Sequence, residues 1–343
     1  MSKDSAELII IDEYSKTPKY RQIISSITNS IQQEKLKIDD KLPSVNKILI
    51  EFDISRDTIV KAYDYLKANK IIKSVPGKGY YVMTNDISTG PRVLLLFNKL
   101  SAHKKIIYDA FSMELGEQAA IDFYIYNNDF KLFKRILQEK EESDYTHFVI
   151  ISHFLEGGNS AIEVINEIPK SKLIILDKKI DGLTGEYASV YQDFEKDLYQ
   201  VLTEMIEKLS NYERLKLIFP NYTYHPESIK NGFQKFCDEF AFKYSIINDV
   251  NTDDINEGDA YINLMEDDLV QLIKRCREQN LTIGKQIGII SYNETLLKEI
   301  LLDGITTIST DFELLGKTAA SFIKTKTKAH IPNPFHVKYR ASL

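Results

Sequence analysis

The chain has 343 residues, 43% hydrophobic and 27% charged, which is enough for a buried core plus an appended domain at the usual ~100–200 residues each. That composition excludes a disordered or fibrous chain, and two cysteines, Cys237 and Cys276, exclude a disulfide framework and fit a reducing compartment. The net charge of −6 argues against a nucleic-acid binder until it is divided: residues 1–83 carry +3, residues 84–343 carry −9, and within 14–82 the balance is +6. The start Met1-Ser2-Lys3-Asp4 has no apolar signal core, and no uncharged stretch approaches the ~18–20 residues that cross a bilayer, so no membrane contact and a cytoplasmic location are expected.

The basic head reads as short helices and a hairpin. Ile23, Ile24, Ile27 and Ile31 recur at helical spacing between Tyr20 and Gln33, just after Pro18. Ser44 caps a second helix with Val45, Ile48, Leu49 and Phe52 on its apolar face, and Asp53 ends it. Ser55 caps a third, from Arg56 to Asn69, with Ile59, Ala62, Tyr63 and Leu66 facing inward. Ile71–Val75 and Tyr80–Met83, joined by Pro76-Gly77-Lys78-Gly79, predict a β-hairpin. Two helices across a tight turn followed by a hairpin make a winged helix. In such a domain the first turn of the second of these helices enters the major groove, where Ser55, Arg56 and Thr58 offer hydroxyls and guanidinium donors. Lys61 is expected near phosphate one turn on, and Lys78 at the hairpin tip near a neighbouring phosphate or the minor groove.

The ordered motifs Pro18-Lys19-Tyr20-Arg21-Gln22-Ile23, Leu42-Pro43-Ser44, Ile54-Ser55-Arg56-Asp57-Thr58-Ile59 and Gly77-Lys78-Gly79-Tyr80-Tyr81-Val82 resemble the DNA-binding domain of GntR-family regulators over residues 14–83. The resemblance implies DNA contacts at Ser44, Ser55, Arg56, Thr58 and Gly79. Asn46 and Val60 stand where the family often has Arg, which implies a different operator sequence.

Residues 84–91, Thr-Asn-Asp-Ile-Ser-Thr-Gly-Pro, are polar and turn-rich and read as a linker between a head at 1–83 and a body at 92–343. In the body, buried-strand runs at Val93–Phe97, Ile121–Tyr126, His147–Ile151, Leu173–Leu176, Ala188–Tyr191, Leu215–Phe219, Lys243–Ile247, Ala260–Leu264 and Gln286–Ser291 alternate with amphipathic helices. Strict alternation predicts parallel sheets with helices on both faces, and ligands bind such sheets at the carboxyl ends of the strands. The residues there include Asn98, Lys99, Asn127, His153, Asp177, Gln192, Asp193, Tyr224, His225, Glu266, Asp267 and Asn293. Amides and carboxylates without a Gly-rich phosphate loop suit a neutral polyhydroxylated ligand, with an aromatic ring on its apolar face.

Gln286–Asn293, Gly304-Ile305-Thr306-Thr307-Ile308, Leu315-Gly316 and the terminal Arg340-Ala341-Ser342 resemble the end of a lactose-repressor-type effector domain, related to periplasmic sugar-binding proteins. This implies a two-lobed α/β body with three crossovers, one lobe from about 92–192 with 311–329 and the other from the rest. It also implies cleft positions at Asp177, Asp193, Glu266 and Asp267, with Asn293 replacing the usual Asp and Ile229 replacing an Arg ahead of Gly232-Phe233. Phe312 lies where a crossover offers a stacking ring.

No Gly-x-Ser-x-Gly, Walker or His-Glu-x-x-His pattern occurs and the six histidines are scattered, so no enzyme activity, metal or cofactor is expected. The expected function is that of a sugar-responsive regulator, a homodimer on palindromic double-stranded operator DNA, released or repositioned by a monosaccharide such as L-arabinose or L-fucose. Arabinose-responsive repressors share this architecture. The competing reading is a sugar-binding or sugar-processing protein whose winged helix serves protein contacts.

Overall fold

The computed structural model describes residues 8–85, 90–116, 118–140, 144–180, 182–223 and 225–343, with Asn159 described by its backbone alone. Much of the 84–91 segment therefore lies outside the described residues.

In the head, helix α1 (Lys19–Gln32) follows Pro18 and buries Ile23, Ile27 and Ile31. Helix α2 (Val45–Phe52) opens on Ser44, whose Oγ accepts the Lys47 N–H at 3.1 Å, and stops at Asp53, in the left-handed region at φ 49°. Helix α3 (Arg56–Ala68) opens on Ser55 and buries Ile59, Ala62, Tyr63 and Leu66. Strands β1 (Ile72–Val75) and β2 (Gly79–Val82) pair antiparallel, Ile72 opposite Val82. The Tyr63 hydroxyl donates to Pro43 O at 2.7 Å and fixes α3 against the entry of α2.

The body is built on two six-stranded sheets. Lobe one contains β3 (Arg92–Phe97), α4 (Ala102–Leu115), β4 (Ala120–Ile125), α5 (Phe130–Glu139), β5 (His147–Ile151), α6 (Gly158–Glu167), β6 (Leu173–Asp177) and β7 (Ala188–Tyr191). Lobe two follows with α7 (Phe194–Glu204), α8 (Ile206–Leu209), β8 (Arg214–Ile218), α9 (Ser228–Glu239), β9 (Lys243–Ile247), β10 (Asp259–Asn263), α10 (Glu266–Glu278), β11 (Gly288–Tyr292), α11 (Leu296–Ile300) and β12 (Thr306–Thr310). Then α12 (Phe312–Thr325) and β13 (His330–Pro332) return to lobe one, and β14 (Phe335–Lys338) to lobe two. The strand orders are β13-β7-β6-β5-β3-β4 and β14-β12-β11-β10-β8-β9. All pairings are parallel except β12 with β14.

Period-two side-chain placement explains why these strands read as unbroken apolar runs. On β3, Val93, Leu95 and Phe97 join the core under α4 and α12, while Leu94 and Leu96 join the opposite core under α5 and α6. Helices α4 and α12 come close because Gly316 lies against the α4 backbone: a Cβ there would fall 2.5 Å from Ile107 O. Gly232 of α9 makes the same kind of approach to Glu195 O of α7, at 2.3 Å.

The chain passes between the lobes three times, after β7, after β12 and after β13. Asn333, buried at the third passage, joins all three: its N–H donates to Tyr191 O and its Nδ2 to Thr310 Oγ1, both at 2.7 Å. The terminal Arg-x-Ser motif secures the end of the chain. Arg340 forks onto Glu294 at 3.0 and 2.8 Å, and Ser342 Oγ donates to Ile289 O at 2.6 Å while accepting the Thr306 N–H at 2.8 Å.

The head is fastened to lobe one by the segment ahead of α1. Lys16 N donates to Phe123 O at 2.7 Å, and Thr17 Oγ1 accepts the Phe123 N–H at 2.7 Å and donates to Ile121 O at 3.0 Å. Asp12 accepts from the Tyr124 hydroxyl and pairs with Lys140 at 3.3 Å. These contacts occupy the open edge of β4, the outermost strand of its sheet.

Candidate functional site

In the head, the first turns of α2 and α3 converge. Arg56 Nη1 donates to Asn46 Oδ1 at 3.1 Å, and the Ser55 and Thr58 hydroxyls share a hydrogen bond of 2.8 Å. Ser44, Asn46, Ser55 and Arg56 are exposed and Thr58 partly so. Lys78 is exposed in the hairpin turn, and Gly79 adopts φ 109° beside the Lys41 side chain. Lys61 departs from the phosphate-facing expectation: its Nζ sits 4.1 Å over the Tyr20 ring of α1, on the side of α3 that faces lobe one.

The body gathers the strand-end residues around Asp177, the last residue of β6, held at φ 74°. Its carboxylate accepts from Lys104 Nζ at 2.5 Å, from His153 Nε2 at 3.1 Å and from Gln192 Nε2, and all four side chains are buried. Burial alone would raise the Asp177 carboxyl, but the Lys104 ammonium and His153 hold it well below the usual carboxylate range. His153 is pushed down by burial against the opposing pull of Asp177, so it is neutral and presents Nε2–H to the carboxylate. Nearby, Asn98 Nδ2 donates to Asn128 Oδ1 at 2.7 Å, while Asn127 points outward from the same left-handed turn.

Lobe two supplies the opposing wall. His225 is pushed down to about 3, first by burial and further by the Lys99 and Lys104 cations of lobe one, so the two walls lie within electrostatic reach. Lys99 is itself lowered by burial and by Lys104, with Glu266 of lobe two pulling the other way. Glu266 and Asp267 are exposed in the first turn of α10, and Asp268 is the buried one, raised to about 6 by burial and by Asp249 and Asp267. Asn293, at φ 65°, accepts Lys298 Nζ on its carbonyl at 2.8 Å. Tyr224 lies outside the described residues. Asp193 precedes α7 and makes no side-chain cap. Phe312 packs in the lobe-one core with its ring stacked on His103 at 4.8 Å, so the expected free stacking face is covered.

Several buried acceptors here meet no donor among the described residues: Asn98 Oδ1, Gln192 Oε1 and Asn293 Oδ1. Buried polar atoms are nearly always satisfied, so their concentration at strand ends marks a place that hydroxyl groups or water complete. Sequence reasoning missed Lys104, His103 and Lys298. The signal was a Lys on the inward face of a helix directly after a strand, at 104 and again at 298. Among the described residues no cluster suited to a metal occurs, and no helix is long and apolar enough to cross a membrane.

Residues 19–82 match the model of the gntR family of bacterial regulatory proteins, and residues 210–342 match a periplasmic binding protein-like domain. The head is 35% identical over 82 residues to the HTH-type transcriptional repressor YtrA of Bacillus subtilis strain 168, a match covering 24% of this chain and 63% of that protein. The body shares its fold with a probable maltose operon transcriptional repressor, MalR, from a Staphylococcus, at TM-score 0.61 and 16% identity over 74% of this chain and 98% of that one. It likewise resembles a Lac repressor dimer bound to operator and an anti-inducer, at TM-score 0.60 and 15% identity over 74% and 94% of the chains. The chain thus joins a head that matches the gntR-family model to a two-sheet body that matches, in its second half, a periplasmic binding protein-like domain and shares the fold of Lac-type repressor structures.

Proposed function

We propose that this chain is a cytoplasmic transcriptional regulator, without catalytic activity, that represses a carbohydrate-utilisation operon and is released from its operator by a monosaccharide. The observation that carries the sugar half is the buried Lys104–Asp177–His153–Gln192 cluster with unsatisfied acceptors beside it, set at strand ends between two lobes joined by three crossings. An ionised carboxylate and several amide oxygens accept from sugar hydroxyls, and Gln192 and Lys99 bring donors. Asn98, Asn127, Asp193, Glu266, Asp267 and Asn293 frame the same cleft. With Ile229 in place of a guanidinium and Phe312 covered, the polar floor fits a small pentose or deoxyhexose such as L-arabinose or L-fucose better than a larger glycoside.

The DNA half rests on the exposed first turns of α2 and α3. Ser44, Asn46, Ser55, Arg56 and Thr58 face the groove, with Lys78 and Gly79 at the wing. A homodimer supplies the second half-site. Leu296, Leu297 and Ile300 of α11 are 85%, 73% and 75% exposed, an apolar patch that a partner copy covers.

Two measurements test the reading. A thermal-shift panel of monosaccharides is expected to raise the unfolding temperature for a pentose or deoxyhexose, and no response to any sugar overturns the effector claim. Arg56→Ala is expected to weaken DNA binding by about tenfold or more with sugar stabilisation intact. Binding of random duplex that ignores salt overturns the phosphate contacts.

A further inference from the structure

A cavity of about 430 Å³ lies at the joint between head and body, lined by α1 and α3 of the head and by the first residues of β3 and β4. Three cations line it: Arg21 of α1, Lys61 of α3 and Arg92 of β3. No Asp or Glu does so among the described lining residues, in a chain whose net charge is −6.

Elsewhere in the fold, the buried Lys104 and Lys216 and the partly buried Arg340 meet carboxylates, Asp177, Asp253 with Asp259, and Glu294, and the buried Lys298 meets two backbone carbonyls. Around the cavity they meet a tyrosine instead. Lys61 Nζ lies 4.1 Å over the Tyr20 ring, and Arg21 Nε donates to the Tyr20 hydroxyl at 3.1 Å. Arg21 Nη1 and Arg92 Nε are closed off from solvent and donate to no described group. Withdrawing guanidinium donors from water without an acceptor is costly, and three like charges converging on one space repel one another. A ligand with negative charge removes both penalties at once.

We propose that this cavity binds a small phosphorylated metabolite bearing hydroxyl groups, at a site separate from the sugar cleft. The phosphate takes the two guanidinium groups, whose planar forks match its oxygens, with Lys61 as a third charge. Asn29, Gln32 and Gln118, also on the wall, supply amides for the hydroxyls. The volume suits a sugar phosphate. Because the wall belongs to both head and body, the occupant bridges the two and biases the angle at which the head is presented. By linkage, whatever favours that angle tightens the metabolite in return.

Calorimetry on the full chain at low ionic strength, with ribose 5-phosphate as the probe, tests this. Saturable binding is expected, weakened by about tenfold or more in Arg21→Gln and in Arg92→Gln. The exposed Lys61→Gln, which removes no core contact, is expected to weaken it several-fold and serves if either arginine variant folds poorly. Lys274→Gln, an exposed position on α10 far from the cavity, is expected to leave the affinity unchanged. Absence of binding overturns the proposal, as does inorganic phosphate binding as tightly as the ester. So does an affinity that survives Lys61→Gln and Arg92→Gln or falls with Lys274→Gln.

Discussion

Asn333 Nδ2 donates to Thr310 Oγ1 across the boundary between the lobes, 2.7 Å apart and shut off from water. With its backbone N–H on Tyr191 O, Asn333 pins the three crossings to one another. Truncating it leaves Thr310 and Asp311 without their amide partner. Asn333→Ala is expected to lower stability by about 1–3 kcal/mol in urea unfolding and to change sugar affinity without touching the cleft residues.

The Lys104–Asp177 pair gives a second expectation. Both side chains are buried, so removing one partner strands the other charge. Lys104→Met is expected to cost about 3–5 kcal/mol and to abolish thermal stabilisation by sugar, with Lys104→Met/Asp177→Asn recovering much of the stability and none of the sugar response.

The pH profile offers a third. Burial raises the Asp197 carboxyl to about 7, and one of its oxygens meets no donor. The folded state therefore holds a proton that the unfolded chain releases near pH 4, and stability falls as pH rises from about 4 through 7. Asp197→Asn is expected to raise the unfolding temperature at pH 8 and to change it little at pH 4. His103 works in the opposite direction: burial and Lys104 push it down to about 3, so it loses stability for the fold as pH drops from about 6.5 toward 3. Differential scanning calorimetry across pH 3–8 separates the two.

The patch on α11 supplies a fourth. Replacing Leu296, Leu297 and Ile300 with Ser is expected to yield a monomer by sedimentation while leaving the unfolding temperature of the monomer near that of the native chain, since these side chains contribute little to its own core.

Most of the architecture was legible because it rests on local signals. Ser44 and Ser55 announced the starts of α2 and α3, and the apolar runs of β3, β5 and β6 are buried on both faces. The elements that escaped notice lack such signals. Strand β13 has three exposed residues ending in Pro332, and β14 is a short partly buried edge strand, so neither shows an apolar alternation. Residues immediately after strands were visible by position, and three singled out that way, Asp177, His153 and Gln192, hydrogen-bond to one another. Lys104 and Lys298 escaped because their partners are distant in sequence or are backbone carbonyls, and nothing local announces those contacts. Phe312 was misjudged because its place beside a crossover gave no sign that His103 covers its face.

The attachment of the head through Thr17, Lys16 and Asp12 is to lobe one alone, whereas α11 belongs to lobe two. In a dimer joined through α11, lobe two is the fixed base and lobe one carries the reading head as the arm of a lever whose fulcrum is Asn333. A rotation of a few degrees about that fulcrum is magnified along the length of lobe one. On the proposed function, the spacing of two half-sites would then report the width of a cleft that never touches DNA.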